Sequence, residues 1–213
     1  MSSPRWPVVV FDLDGTLVNT IPLIVESYRQ AFREVRGEEV DEAFALPLIG
    51  MTLVDALAPF PEADALAHAY ITFNLAHLES LQTDFEGIRE LLDALADAGV
   101  VVGVATSKRR PAAERSVAAS GLEGKLQLVS TLDDVTRHKP HPEPLLHALA
   151  ELGVPAEGSV YVGDAVVDLR AARAAGMDAI AVSWGAGDPD ALRAENPTAY
   201  CETVDELARV LLG

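Results

Sequence analysis

Two short acidic clusters each follow an apolar run, and they are the residues best placed to do chemistry. In the first, Phe11-Asp12-Leu13-Asp14-Gly15-Thr16, two aspartates flank one leucine. On an extended backbone this spacing sends both carboxylates to the same face, roughly 7 Å apart, and Gly15 allows a sharp turn behind them. Such a pair can divide labour: one carboxylate attacks or binds a metal while the other moves protons. Alone, the segment reads more simply as an Asp-Gly turn. A calcium loop fits poorly, because the glycine is misplaced and the preceding residues are strand-like.

The second cluster is Gly163-Asp164-Ala165-Val166-Val167-Asp168. Asp164 at a strand end and Asp168 at the start of a helix can converge on one cation. Their oxygens suit Mg2+, which keeps several waters and accepts few protein ligands. Either aspartate taken singly is readable as a helix cap favoured by the macrodipole. Between the clusters, Thr106 and Ser107 follow a run ending at Ala105. Hydroxyls and free backbone N–H groups before a helix form an anion site, with an ordinary N-cap as the alternative. Lys139 lies in Lys139-Pro140-His141-Pro142-Glu143-Pro144, where prolines stiffen the approach to a helix; a lysine held there neutralises phosphoryl charge. No Walker A loop, Gly-x-Gly-x-x-Gly or Gly-x-Ser-x-Gly elbow is present.

These residues need a frame that brings strand ends together. Val8 to Phe11, Val100 to Ala105, Val160 to Val162, Ala179 to Val182 and, more weakly, Leu126 to Val129 read as strands buried on both faces. Helical patterns lie between them: Ile88, Leu91, Leu92 and Leu95 before Gly99, Pro144 to Leu152, and Leu169 to Ala175. This alternation predicts an α/β fold with a Rossmann-like doubly wound parallel sheet, binding ligands beyond the carboxyl ends of its strands. From Pro22 to Gln82 the pattern is purely helical. Ile21, Ile24, Val25, Tyr28, Ala31, Phe32 and Val35 share a helix face, Thr52 is a candidate N-cap for a short helix to Ala58, and Pro61 to Leu81 forms a longer helix. The expected organisation is a core of residues 1–16 and 84–213 with an all-helical cap, residues 17–83, inserted over the end of the first strand.

With 213 residues and 49 % hydrophobic content, the chain can bury a substantial core. The formal net charge of -17 argues against nucleic acid as a partner. A negative field also repels anionic substrates, unless a divalent cation inverts the local charge. The scarce basic residues bunch at Lys108-Arg109-Arg110 and Arg137-His138-Lys139. No apolar run approaches the roughly 20 residues that span a bilayer, so no membrane partner is expected. Met1 to Pro7 does not read as a signal peptide. Cys201 is the only cysteine, so no intramolecular disulfide is expected. The expected location is cytoplasmic, and the expected state is a monomer or homodimer.

The four segments in this order resemble the haloacid-dehalogenase-like hydrolase superfamily: Asp12-x-Asp14-Gly15-Thr16, Thr106, Lys139, and Gly163-Asp164-x-x-x-Asp168. The resemblance implies a phosphatase of small phosphorylated metabolites, with Asp12 as nucleophile and Asp14 as proton donor and acceptor. It implies that Thr106 and Lys139 hold the phosphoryl oxygens, that Gly15, Thr16, Ser107 and Lys108 contribute to substrate binding, and that Mg2+ is bound by Asp12, the Asp14 carbonyl and Asp164. Asp168 is either a further ligand or an orienting partner. The second aspartate, Asp14, argues against a dehalogenase, and the intact set argues against a non-catalytic binding protein.

Within the superfamily, Ser183-Trp184-Gly185, Gly187-Asp188-Pro189 and Ala171 to Gly176 resemble phosphoglycolate phosphatases. Thr131-Leu132-Asp133-Asp134-Val135 leading to Lys139 is also similar to bacterial pyrophosphatases. A sugar-phosphate phosphatase or mutase is a further alternative. Asn19 stands where the family has Asp, Ala165 where it often has Ser or Thr, and His138 where a small residue is common, which bears on access. Substrate choice is assigned by the same resemblance to the helical cap, with Gly50 in the Leu48-Ile49-Gly50-Met51-Thr52 loop.

Overall fold

The computed structural model describes residues 4–213; the first three residues of the segment read as lacking a signal peptide lie outside them. Strand β1 (Val8–Phe11) is apolar at every position and buried throughout. A strand of this kind requires cover on both faces. Elements β2 (Val18–Asn19) and β3 (Thr83–Asp84) form a separate two-stranded antiparallel pair. The remaining strands are β4 (Val101–Ala105), β5 (Gln127–Ser130), β6 (Ser159–Gly163), β7 (Asp178–Val182) and β8 (Ala199–Cys201). Together with β1 they form a six-stranded parallel sheet in the order β5-β4-β1-β6-β7-β8.

Alternate residues of β1 serve opposite faces, as the pleat dictates. Val9 and Phe11 pack with Leu91, Leu92 and Leu95 of a helix at Ile88–Asp97 and with Leu207 and Leu211 of the C-terminal helix, Val204–Leu212. Val8 and Val10 pack with Leu145 and Leu149 of the helix Glu143–Leu152 and with Ala171 and Ala172 of the helix Val166–Ala175. The doubly wound sheet expected from the sequence is therefore present. Strands and helices that the sequence did not reveal complete it. Three-residue β8 is too short for a pattern. The helix Arg110–Ala119 is rich in Ala and charge, and buries only Ala113, Ser116 and Val117.

Between β2 and β3 the chain forms helices at Ile21–Arg36, Glu42–Ala45, Leu53–Leu57 and Ala63–Leu81, hereafter α1 to α4. The apolar stripe of α1 buries Ile24, Val25, Tyr28, Ala31 and Phe32 in a core of its own. Phe32 meets Phe44 and Phe60 edge-on at centroid distances of 4.9 and 5.0 Å, a favoured aromatic geometry. Thr52 caps α3, its hydroxyl accepting from the Asp55 N–H at 3.1 Å. The outgoing and returning chains pair as a neck, Val18 opposite Asp84 and Asn19 opposite Thr83. Leu17 and Val18 pack into the sheet's core rather than with the helices. Among the described residues no helix is long and apolar enough to cross a membrane.

Phe32→Ala removes the centre of the aromatic cluster from a side chain 1 % exposed. The expected cost is about 3–5 kcal/mol of stability, read as a lower urea midpoint.

Candidate active site

Strands β1, β4 and β6 lie side by side and parallel, so the residues that follow them meet at one edge of the sheet. The β1–β6 ladder runs one residue beyond the strand: the Asp12 N–H donates to the Val162 carbonyl at 2.8 Å. This fixes the Asp12 backbone and leaves its side chain at the sheet's end. Lys139, delivered by the segment after β5, donates to Asp12 Oδ1 at 2.8 Å, to Asp168 Oδ1 at 2.6 Å and to the Tyr161 hydroxyl at 3.0 Å. Tyr161 in turn donates to the Ala105 carbonyl at 2.8 Å. The second Asp168 oxygen accepts from the Ala165 N–H at 3.0 Å. Asp168, at the third helical position, therefore both satisfies the N-cap N–H of its helix and pairs with Lys139.

Asp164 is equally constrained. Its Oδ1 accepts from the Thr16 hydroxyl at 3.0 Å and its Oδ2 from the Ala186 N–H at 2.8 Å. Gly15, at φ 82°, lies so close that a Cβ would stand 2.4 Å from Asp164 Oδ2, so only glycine fits. The Trp184 indole holds the Thr16 carbonyl at 3.0 Å. Gly15 and Thr16 thus face Asp164 and are not among the residues lining the cavity described below.

One oxygen from each of Asp12, Asp164 and Asp168 lies within 4.8 Å of the others, and all three residues are buried. Burial raises the Asp12 carboxyl well above its usual range. Lys139 opposes that rise, and the Asp168 and Asp164 charges reinforce it. Burial, with the Asp168 charge adding to it, pushes Asp164 up to about 7, against the Ala186 and Thr16 hydrogen bonds. Burial works against the charge on Lys139, but Asp12 and Asp168 hold its ammonium well above the ordinary value. Three carboxylates around one ammonium leave an excess of two negative charges when ionised. A divalent cation bound by oxygen offsets that excess. Asp12 Oδ2 accepts no hydrogen bond among the described residues, and so remains free for a metal or a reacting atom.

The Asp14 carboxylate lies outside this trio. It accepts from Lys108 Nζ at 2.6 Å and from the Thr20 hydroxyl at 2.6 Å, and it faces a cavity of about 440 Å³. Asp12, Asp14, Thr106, Ser107 and Lys108 form the sheet side of that cavity, and residues of α1, α4 and the Gly50 loop form the other. The Ser107 hydroxyl donates to the Gly50 carbonyl at 3.1 Å, tying the loop to the sheet. A Cβ at Gly50 would stand 2.9 Å from the Ala165 Cβ, so the small residues Gly50 and Ala165 permit this close approach. Thr106 is buried, its Oγ1 accepting from the Lys108 N–H at 3.2 Å. His138 is not among the lining residues, and Asn19 accepts from the Ile21 N–H at 3.3 Å. Sequence reasoning missed Thr20, Tyr161, Tyr70 and Asn74 as site residues. Tyr161 carried one signal, a polar tip within an otherwise apolar strand.

Residues 9–182 match the family described as haloacid dehalogenase-like hydrolase. The chain is 33 % identical over 213 residues to pyrophosphatase PpaX of Bacillus pumilus, covering 99 % of both chains. It is 34 % identical over 205 residues to pyrophosphatase PpaX of Bacillus cereus, covering 95 % of both. Its fold matches a predicted phosphoglycolate phosphatase from Haemophilus somnus with a TM-score of 0.88 at 20 % identity, over 97 % of this chain and 98 % of that one. The chain belongs to the haloacid dehalogenase-like hydrolase family. As an enzyme it is a phosphatase of that family.

The raised carboxyls link stability to pH. Asp164 holds a proton in the folded protein up to about pH 7, whereas the unfolded chain releases it near 3.8. Across that window the folded state binds more protons, so stability falls as pH rises. With chelator present, the urea midpoint is expected to drop between pH 5 and pH 8, and Asp164→Asn to flatten that drop.

Proposed function

We propose that the protein is a Mg2+-dependent phosphatase of a small phosphorylated metabolite, working through an aspartyl-phosphate on Asp12. The free Asp12 Oδ2 carries this reading: Asp12 lines the cavity, and Lys139 holds its other oxygen. Oδ2 attacks phosphorus, forming the Asp12–phosphorus bond as the bond to the leaving oxygen breaks. Asp14, entering the step protonated on the Oδ2 that no hydrogen bond engages among the described residues, gives that proton to the leaving oxygen, then takes one from the water that hydrolyses the intermediate. Its contacts with Lys108 and Thr20 hold it facing the cavity. Thr106, Ser107 and Lys108 bind phosphoryl oxygens from the β4 side, and Lys139 offsets negative charge at the nucleophile.

Asp12, Asp164 and the Asp14 carbonyl are assigned to the metal, which when bound neutralises charge on the transferring phosphoryl group. Both oxygens of Asp168 are engaged by Lys139 and Ala165, which favours an orienting role for this residue over ligation. Gly15 and Thr16 act by positioning Asp164. Helices α1 to α4 act as a cap over the site, with the Gly50 loop closing its edge. One buried cysteine, Cys201, and no disulfide among the described residues fit a cytoplasmic setting. Pyrophosphate is a second substrate reading, favoured by the names of the two Bacillus relatives.

Asp12→Asn is expected to lower phosphate release by on the order of 10⁴-fold or more, and Asp14→Asn by about 10²–10⁴-fold. Both are read from steady-state kinetics with Mg2+. Full activity in Asp12→Asn would remove the proposed nucleophile. Mg2+ is expected to raise the melting temperature of the wild-type protein at pH 7.5 and to do so less in Asp164→Asn.

A further inference from the structure

The cavity between the sheet and α1 to α4 is chemically two-sided. Its sheet side carries the charged groups; its helical side is almost entirely apolar, including Ile24, Ile49, Leu53 and Ala67. Among the described residues six large hydrophobic side chains are exposed, and four of them, Met51, Val54, Ile71 and Leu75, surround this one cavity. Clustered exposed apolar groups of this kind mark a contact surface rather than scattered surface variation.

The same wall lacks positive charge. The basic residues between positions 17 and 83 are Arg29, Arg33 and Arg36, apart from two histidines. Each arginine is paired with glutamate, and none lines the cavity. The cations that do line the cavity, Lys108 beside Asp14 and Arg109 beside Asp133, both lie on the sheet side, where the phosphoryl group binds. A leaving group with its own negative charge, such as a second phosphate or a carboxylate, would therefore meet no cation on the helical wall. Packed against that wall, the charge would lose hydration without gaining a charged partner.

The polar groups the wall does offer are neutral. The Tyr28 and Tyr70 hydroxyls make no hydrogen bond among the described residues, although Tyr28 is 3 % exposed and both line the cavity. Asn74 donates to the Ser27 hydroxyl at 3.1 Å, which leaves its carbonyl oxygen without a partner. About 440 Å³ falls within the range of pockets that enclose drug-sized ligands, more than a two-carbon ester or pyrophosphate requires.

Resting on the phosphatase reading above, we infer that the substrate is a phosphate monoester of an uncharged, largely apolar alcohol. The phosphoryl group lies at Asp12, and the alcohol's body packs between Ile71, Leu75 and Met51. A neutral polar group on that body meets the Tyr28, Tyr70 and Asn74 positions. Attack by Asp12 Oδ2 breaks the phosphorus–oxygen bond, and the alcohol leaves with the proton from Asp14.

The test compares kcat/KM for benzyl phosphate, phosphoglycolate and inorganic pyrophosphate with the full chain and Mg2+, alongside Asp12→Asn and Ile71→Lys. Benzyl phosphate is expected to exceed both charged substrates by about tenfold or more, the scale on which apolar pockets discriminate. Ile71→Lys, at a position 41 % exposed and so tolerant of charge, is expected to narrow that ratio by raising turnover of the charged substrates. Equal or faster hydrolysis of pyrophosphate or phosphoglycolate by the wild type, with Asp12→Asn inactive, overturns the apolar alcohol while the phosphatase stands. Release of phosphate from none of the three by the wild type overturns both.

Discussion

The burial of one ammonium among three carboxylates constrains everything around it. Lys139 is held by Asp12 and Asp168, with Asp164 close by, and none of these side chains has meaningful access to water. Such a cluster is tolerable only when each charge has partners, because an unpaired buried ion costs several kcal/mol. The surrounding structure supplies those partners. The Tyr161 hydroxyl, the Ala165 and Ala186 N–H groups and the Thr16 hydroxyl all point at the cluster. The parallel sheet sets the separation of β1 and β6, which brings Asp12 and Asp164 together, and the backbone at Gly15 must pass against Asp164. A cluster left with excess negative charge stores the capacity to bind a cation, at a cost to the stability of the metal-free fold.

Two different environments meet at Asp12. Behind it lies the charged cluster; in front lies a cavity whose far wall is largely apolar and comes from a separate helical core. The two-stranded neck joins that core to the sheet, and the hydrogen bond between Ser107 and Gly50 links its loop to the strand ends. The helical layer can therefore vary in the surface it presents without disturbing the charges below.

Strands β1, β4, β6 and β7 were legible because each is a continuous apolar run. Helix α1 was legible because its stripe repeats at helical spacing. The helix Arg110–Ala119 was not, since alanine and buried serine supply its packing face and leave no amphipathic signature. The candidate site was readable as residue types at strand ends, with Asp12, Asp14, Thr106, Lys139, Asp164 and Asp168 all visible. Its hydrogen-bonding partners were less so. Thr20 and Tyr161 sit where an N-cap and a strand interior are sufficient explanation, and only the folded contacts show that they hold Asp14 and Lys139.

The sequence by itself determined the α/β alternation, the helical insertion and the order of the chemistry-bearing residues, because these depend on local periodicity and on which residue follows a strand. Tertiary structure alone decided the partition of the aspartates. Asp12, Asp164 and Asp168 gather around Lys139, while Asp14, two residues from Asp12, turns to Lys108 and the cavity. It also decided that the exposed Met51, Val54, Ile71 and Leu75 share one wall. Both outcomes rest on contacts between residues far apart in sequence, and local pattern carries no information about which distant charges and surfaces the packed chain will bring within reach.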